Sequence, residues 1–109
     1  MSLNVQKQIQ YWRQGASEDL NTARLLLANG KNKEALFFAH LTLEKALKAL
    51  VVKATTDIPP YSHDLAYLTQ KAGLTLTAAQ LEFLATINQY SVRGRYPDID
   101  KPLPVIGAP

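Results

Sequence analysis

Apolar residues recur along the first third of the chain at intervals of four, three, four, four, three and four: Val5, Ile9, Trp12, Ala16, Leu20, Ala23 and Leu27. That is the period of one face of an α-helix, and it predicts a long amphipathic helix from about residue 5 to about residue 29. Gly15 inside it costs about 1 kcal/mol relative to alanine, tolerable where it lets another helix come close. Asn29-Gly30 ends the pattern, with Gly30 as the left-handed C-terminal residue. A short turn then leads into a second helix over Lys33 to Lys53, so the two form an antiparallel hairpin. Leu36, Ala39, Leu43, Leu47 and Leu50 stack along one line of this second helix, widened by Ala35 and Ala46. Phe37, Phe38 and Leu41 carry apolar surface most of the way round its first half, which requires cover on several sides and makes it the central helix.

Pro59 and Pro60 forbid helix and mark the main loop. Ser62 is a good N-cap, with His63 and Asp64 in the first turn of a short third helix carrying Leu65, Leu68 and Ala72 and ending at Gly73. Leu74 beyond the glycine fits a Schellman ending. Thr77 to Gln80 matches a capping box and opens a fourth helix. Its inner face is Leu81, Leu84 and Ile87, flanked by Phe83 and Tyr90, and it ends near Ser91. The expected fold is all-α, an up-and-down antiparallel bundle of four main helices within residues 1–98, followed by an irregular, proline-rich C-terminal tail over residues 99–109.

Composition narrows the class further. A chain of 109 residues is one domain, and 47% hydrophobic with 19% charged residues is far from the disordered range. The chain has no run of 18 apolar residues, and MSLNVQKQIQYW lacks the succession of a signal peptide, so the expectation is a cytoplasmic protein with no membrane contact. Zero cysteines exclude disulfides and thiolate metal sites, and two isolated histidines argue against structural zinc; no cofactor is implied. A net charge of +3 and a pI near 9.3 permit an anionic partner but fall short of the Lys/Arg runs of a dedicated nucleic-acid binder.

The chemistry lies in a few positions. His40, Glu44 and Lys48 follow one another at i, i+4 and i+8 down one side of the central helix, with Lys45 beside them. The same spacing fits an ordinary solvated Glu-to-Lys pair. Glu44 one turn below His40 would raise the histidine's pKa if the two are close and make it a proton carrier or anion contact, although a histidine within a mostly apolar helix more often satisfies a buried polar neighbour. His63 reads as a helix-start residue beside Asp64. Arg93 and Arg95 straddle Gly94, which frees the backbone to turn both guanidinium groups toward one anion, or toward Asp98, Asp19 or Glu44. Phe37, Phe38, Leu41 and the outward Leu25 predict a homodimer.

Together, Trp12, Ala16, Asp19-Leu20, the AxxxLEKALKAL run from Ala39 to Leu50, Ser62-His63-Asp64-Leu65 after a proline loop, and Arg95-Tyr96-Pro97-Asp98 resemble a HEPN domain over residues 5 to 98. The resemblance implies an up-and-down helical bundle, usually a homodimer, often encoded beside a small nucleotidyltransferase with which it forms a toxin and antitoxin pair. Some relatives are metal-independent ribonucleases whose motif is an Arg followed after four to six residues by a His. Here the corresponding positions are Asp98, Ile99 and Asp100 after Arg93, and Asp100, Lys101 and Pro102 after Arg95. A carboxylate there repels phosphate, so the expectation is a non-catalytic module binding a nucleotidyltransferase and nucleotide or RNA phosphate through Arg93, Arg95, Lys48 and His40, with Glu44 orienting the cations. A divergent ribonuclease using His40 or His63 and a bare dimerisation scaffold are the alternatives.

Overall fold

The computed structural model describes residues 3–90. Helix α1 spans Val5–Ala28 and α2 Asn32–Thr55, the hairpin the periodicity predicts. Asn4 caps α1 by accepting the Lys7 amide at 3.0 Å. At its other end Gly30 takes φ +74°, and the Lys31 amide reaches back to the Leu26 carbonyl at 2.8 Å, closing a Schellman motif. Helix α3 runs Leu65–Lys71 and α4 Ala78–Ile87, followed by a 3-10 turn over Asn88–Tyr90. The described residues are all-α, with no strand among them, and the helices pack as a bundle around α2.

Local chemistry explains most of the boundaries. Thr77 and Gln80 form the expected capping box, the Gln80 amide at 3.1 Å from Thr77 Oγ1 and the Thr77 amide at 2.9 Å from Gln80 Oε1. The third helix ends as a Schellman turn, with Gly73 at φ +71° and the Leu74 amide bonded to the Thr69 carbonyl. Its start is a correction: Asp64, not Ser62, is the N-cap and accepts from the Ala66 and Tyr67 amides, while Ser62 Oγ accepts from the Asp64 amide one step earlier. Both carry suitable oxygens, but helical geometry begins only at Leu65, so Asp64 is the residue with extended backbone and free reach. Ser91, expected at the end of the fourth helix, and the tail lie outside the described residues.

The larger correction concerns which face of α2 is inside. The core gathers Leu36, Leu47 and Val51 of α2 with Leu65, Leu68, Ala72, Leu84, Ile87 and Tyr90. Leu36 and Leu47 of the expected leucine line do lie in it, but on a 3.6-residue helix the buried arc runs on from them past His40, Val51 and Glu44 to Lys48. His40, Glu44 and Lys48 are all buried, whereas Leu50, expected in the core, is 39% exposed. The solvated-pair reading of Glu44 and Lys48 is therefore overturned. Leu81 and Phe83 of α4 are also exposed, at 45% and 52%; only Leu84 and Ile87 of its expected inner face are buried. Helix α1 covers α2 from one side, burying Ala16 and Ala23 but leaving Leu20 and Leu27 partly open.

Helix α2 ends on Thr56, a β-branched residue at φ 55°, ψ 27°. Its side-chain hydroxyl bonds the Thr55 carbonyl at 2.6 Å, and the Thr56 amide reaches the Val52 carbonyl at 2.8 Å. The left-handed conformation costs such a residue roughly 1 kcal/mol that glycine does not incur. Thr56→Gly is accordingly expected to raise stability in urea unfolding by about 1 kcal/mol; a clear loss would show that the Thr56 hydroxyl matters more than the backbone strain.

Candidate functional site

The polar cluster is built outward from Glu44. Its 4% exposure would make an isolated carboxylate prohibitive, so both oxygens are engaged. Oε2 accepts from Lys48 Nζ at 2.9 Å, the i+4 partner one turn on. Oε1 accepts from His63 Nδ1 at 2.7 Å, a contact between α2 and the loop that precedes α3. A carboxylate only accepts, so Nδ1 of His63 carries the proton and Nε2 is left unprotonated. The Lys48 ammonium lies 5.2 Å from the centre of the Trp12 ring, so α1 closes the cluster from the other side with a cation–π contact.

His40, fully buried, sits a turn above. Its Nε2 donates to the His63 carbonyl at 2.9 Å and also approaches Asn88 Oδ1 at 3.4 Å. Both are oxygen acceptors, which sets the Nε2–H tautomer and leaves Nδ1 with no hydrogen bond, 3.7 Å from Glu44 Oε1. Burial is the largest influence on His40 and lowers its pKa below 6.5; Glu44 does pull it upward as expected, with Asn88 and the His63 carbonyl, but does not prevail. His40 is thus a neutral strut.

Asn88 completes the arrangement and was not legible in the sequence. Its Oδ1 accepts the Leu65 amide at 3.1 Å and its Nδ2 donates to Asp64 Oδ1 at 3.1 Å, so one side chain from the end of α4 holds the N-terminus of α3. No spacing rule marks an asparagine at a helix end as a cross-chain clamp. His63, read as a helix-start residue, proves to be the link between loop and cluster. Lys45 belongs to a separate pair: Nζ lies 2.7 Å from Asp19 Oδ2 of α1, and its stem passes over Gly15, where a Cβ would come within 3.0 Å of Lys45 Cδ. The missing side chain of Gly15 is what lets this lysine cross between the helices.

The structure thus brings His40, Glu44 and Lys48 together with His63, Asn88 and Trp12, inward rather than on the surface. Arg93 and Arg95 lie outside the described residues. Among the described residues no three His, Asp or Glu side chains are grouped to hold a metal, and no helix is long and apolar enough to cross a membrane.

The described residues thus form an all-α bundle whose central helix buries a Glu-Lys pair against a histidine from a proline loop. The HEPN domain family model matches residues 9–103, and the chain belongs to that family of nucleotide- and RNA-associated modules, whose members often dimerise. No curated protein and no solved structure matches it.

Two outcomes follow from this geometry. Glu44→Ala strands the Lys48 ammonium in the interior and frees His63, and should cost about 3–5 kcal/mol in denaturant unfolding. For His40 the folded pKa is depressed, so the unfolded chain binds the proton first as pH falls; the contribution is fully present above 6.5 and is lost on descending from there through the folded value. The melting temperature should therefore drop between pH 7.5 and 5.5, and His40→Gln, which keeps a donor toward the His63 carbonyl, should flatten that drop. An unchanged slope in the variant would contradict the assignment.

Proposed function

We propose that this chain is a non-catalytic, cytoplasmic HEPN module that acts as a homodimer, binds a small nucleotidyltransferase partner and takes a nucleotide or RNA phosphate, in a two-component system of toxin–antitoxin type. The observation that carries the anion-binding part is the engagement of the carboxylates. Internal pairing of Arg93 and Arg95 would draw on Glu44, Asp19 or Asp98, and the first two are already held by Lys48 with His63 and by Lys45. With those two carboxylates engaged and Asp98 outside the described residues, this reading gives the two guanidinium groups to an external anion, which suits their paired, always-charged chemistry. In this reading Lys48 and His40 act from within: Lys48 balances Glu44, and His40 fixes the loop that carries His63. Half-buried Phe37, Phe38 and Leu41 on α2, with Leu25 66% exposed on α1, support the homodimer.

A second reading is favoured by one contact. Glu44 holds His63 through Nδ1 and leaves Nε2 free, the orientation of a general base backed by a carboxylate. A divergent metal-independent ribonuclease would use that nitrogen for the 2′-hydroxyl proton, an effect typically worth ~10²- to 10⁴-fold. The Arg-to-His spacing of the resembling ribonucleases is absent, which is why the non-catalytic reading comes first.

Labelled RNA and nucleotides in the presence of EDTA separate these readings. The expected outcome is saturable binding without cleavage. Arg93→Ala with Arg95→Ala should weaken that binding, or binding of the nucleotidyltransferase, at least tenfold, about 1.4 kcal/mol, with the melting temperature nearly unchanged. Cleavage that disappears in His63→Ala would instead establish the ribonuclease. Neither binding nor cleavage would leave a dimerisation scaffold.

A further inference from the structure

Away from the buried cluster, α1 and α2 enclose an open groove of about 700 Å³, and among the described residues these two helices supply its lining. Its floor is apolar and low: Ala16, Ala46 and Ala49, with Ile9 and Leu50 along it. Leu50 is 39% exposed and Ile9 only half-buried, while α3 and α4 spend their apolar faces elsewhere on α2. Alanines let a third helix approach closely, and the two partly open aliphatic side chains would interleave with its ridge. The rim is cationic. Arg13 and Lys53 both line the groove, and neither has an ion pair among the described residues. The acidic residues of the two helices, Glu18, Asp19, Glu34 and Glu44, do not line it.

We infer that this groove is a docking site for an amphipathic helix of a partner protein, with an apolar ridge on the alanine floor and Asp or Glu on its shoulders against Arg13 and Lys53. A second copy of the chain fits poorly, because a symmetric contact would set two pairs of cations against each other. Nucleic acid fits poorly as well: the rim would suit phosphates, but among the described residues no aromatic ring lines the groove for a base to stack on. The complementary shape is a helix laid in a groove, with an apolar stripe at i, i+3 or i+4 and i+7. The inference uses none of the residues of the proposed phosphate site, and its test does not depend on that reading.

The test titrates the full chain with two designed helical peptides sharing one leucine ridge, one with glutamate and one with lysine shoulders, followed by fluorescence anisotropy. The acidic peptide should bind saturably and at least tenfold tighter than its basic twin, and Arg13→Glu with Lys53→Glu should reverse that preference. Leu50→Gln, a change at an already exposed position, should weaken the acidic peptide at least tenfold while the melting temperature and the mass by light scattering stay unchanged. Equal binding of the two peptides, or indifference to the charge reversal, overturns the inference. So does a change of oligomeric mass in Leu50→Gln, which would make the groove a contact between copies. Loss of single-stranded RNA binding in the charge-reversed variant, with no peptide binding by the native chain, would assign the rim to nucleic acid instead.

Discussion

One buried carboxylate governs the arrangement of this molecule. Glu44 in the middle of the central helix can exist inside only if both its oxygens are met, and the groups that meet them come from different parts of the chain: Lys48 from its own helix and His63 from the proline loop. Satisfying Glu44 therefore fixes where the loop crosses α2. His40 repeats the constraint one turn away, binding the His63 carbonyl, and Asn88 extends it to the starts of α3 and the end of α4. Replacing these groups by well-packed aliphatic ones could be neutral or better for stability, as is common for buried ion pairs. What the polar cluster supplies is direction: a leucine at 44 would accept any neighbour, whereas a carboxylate accepts donors at fixed places.

The hairpin, its termini and the capping box were legible because they depend on local rules. A period of 3.6, a glycine at a left-handed position and a Thr-to-Gln spacing act over a few residues and need no knowledge of the rest of the chain. The rotation of α2 was not legible. Apolar counting finds Leu36 and Leu47, which do lie in the core, but adds Leu50, which is exposed, and it reads Glu44 and Lys48 as a solvated pair because each alone belongs in water. Their burial follows from mutual neutralisation plus a partner 19 residues further on, His63, which no i, i+4 rule reaches. Asn88 escaped for the same reason. The resemblance in the residues had already joined the EKALKAL run and the Ser-His-Asp-Leu segment to one family, and the structure supplies the physical link between them: Glu44 bonded to His63.

The arrangement also separates the molecule's charges by role. The cations at 45 and 48 are matched to Asp19 and Glu44 and belong to the architecture, whereas Arg13 and Lys53 have no acidic partner among the described residues and face an open groove. A net charge of +3 is thus a poor guide to function until the internal pairs are set aside. Arg13 and Lys53 are thereby available for recognition, at a groove that Glu44 does not line.

The most direct measurement of the central claim is a long-range ¹H–¹⁵N correlation spectrum of the two histidine rings at neutral pH. With Glu44 as the organising acceptor, His40 should appear as the neutral Nε2–H tautomer and His63 should carry its proton on Nδ1, and Glu44→Gln should change the His63 pattern. Two rings showing the averaged tautomers of free imidazole, with His63 indifferent to Glu44→Gln, would contradict it.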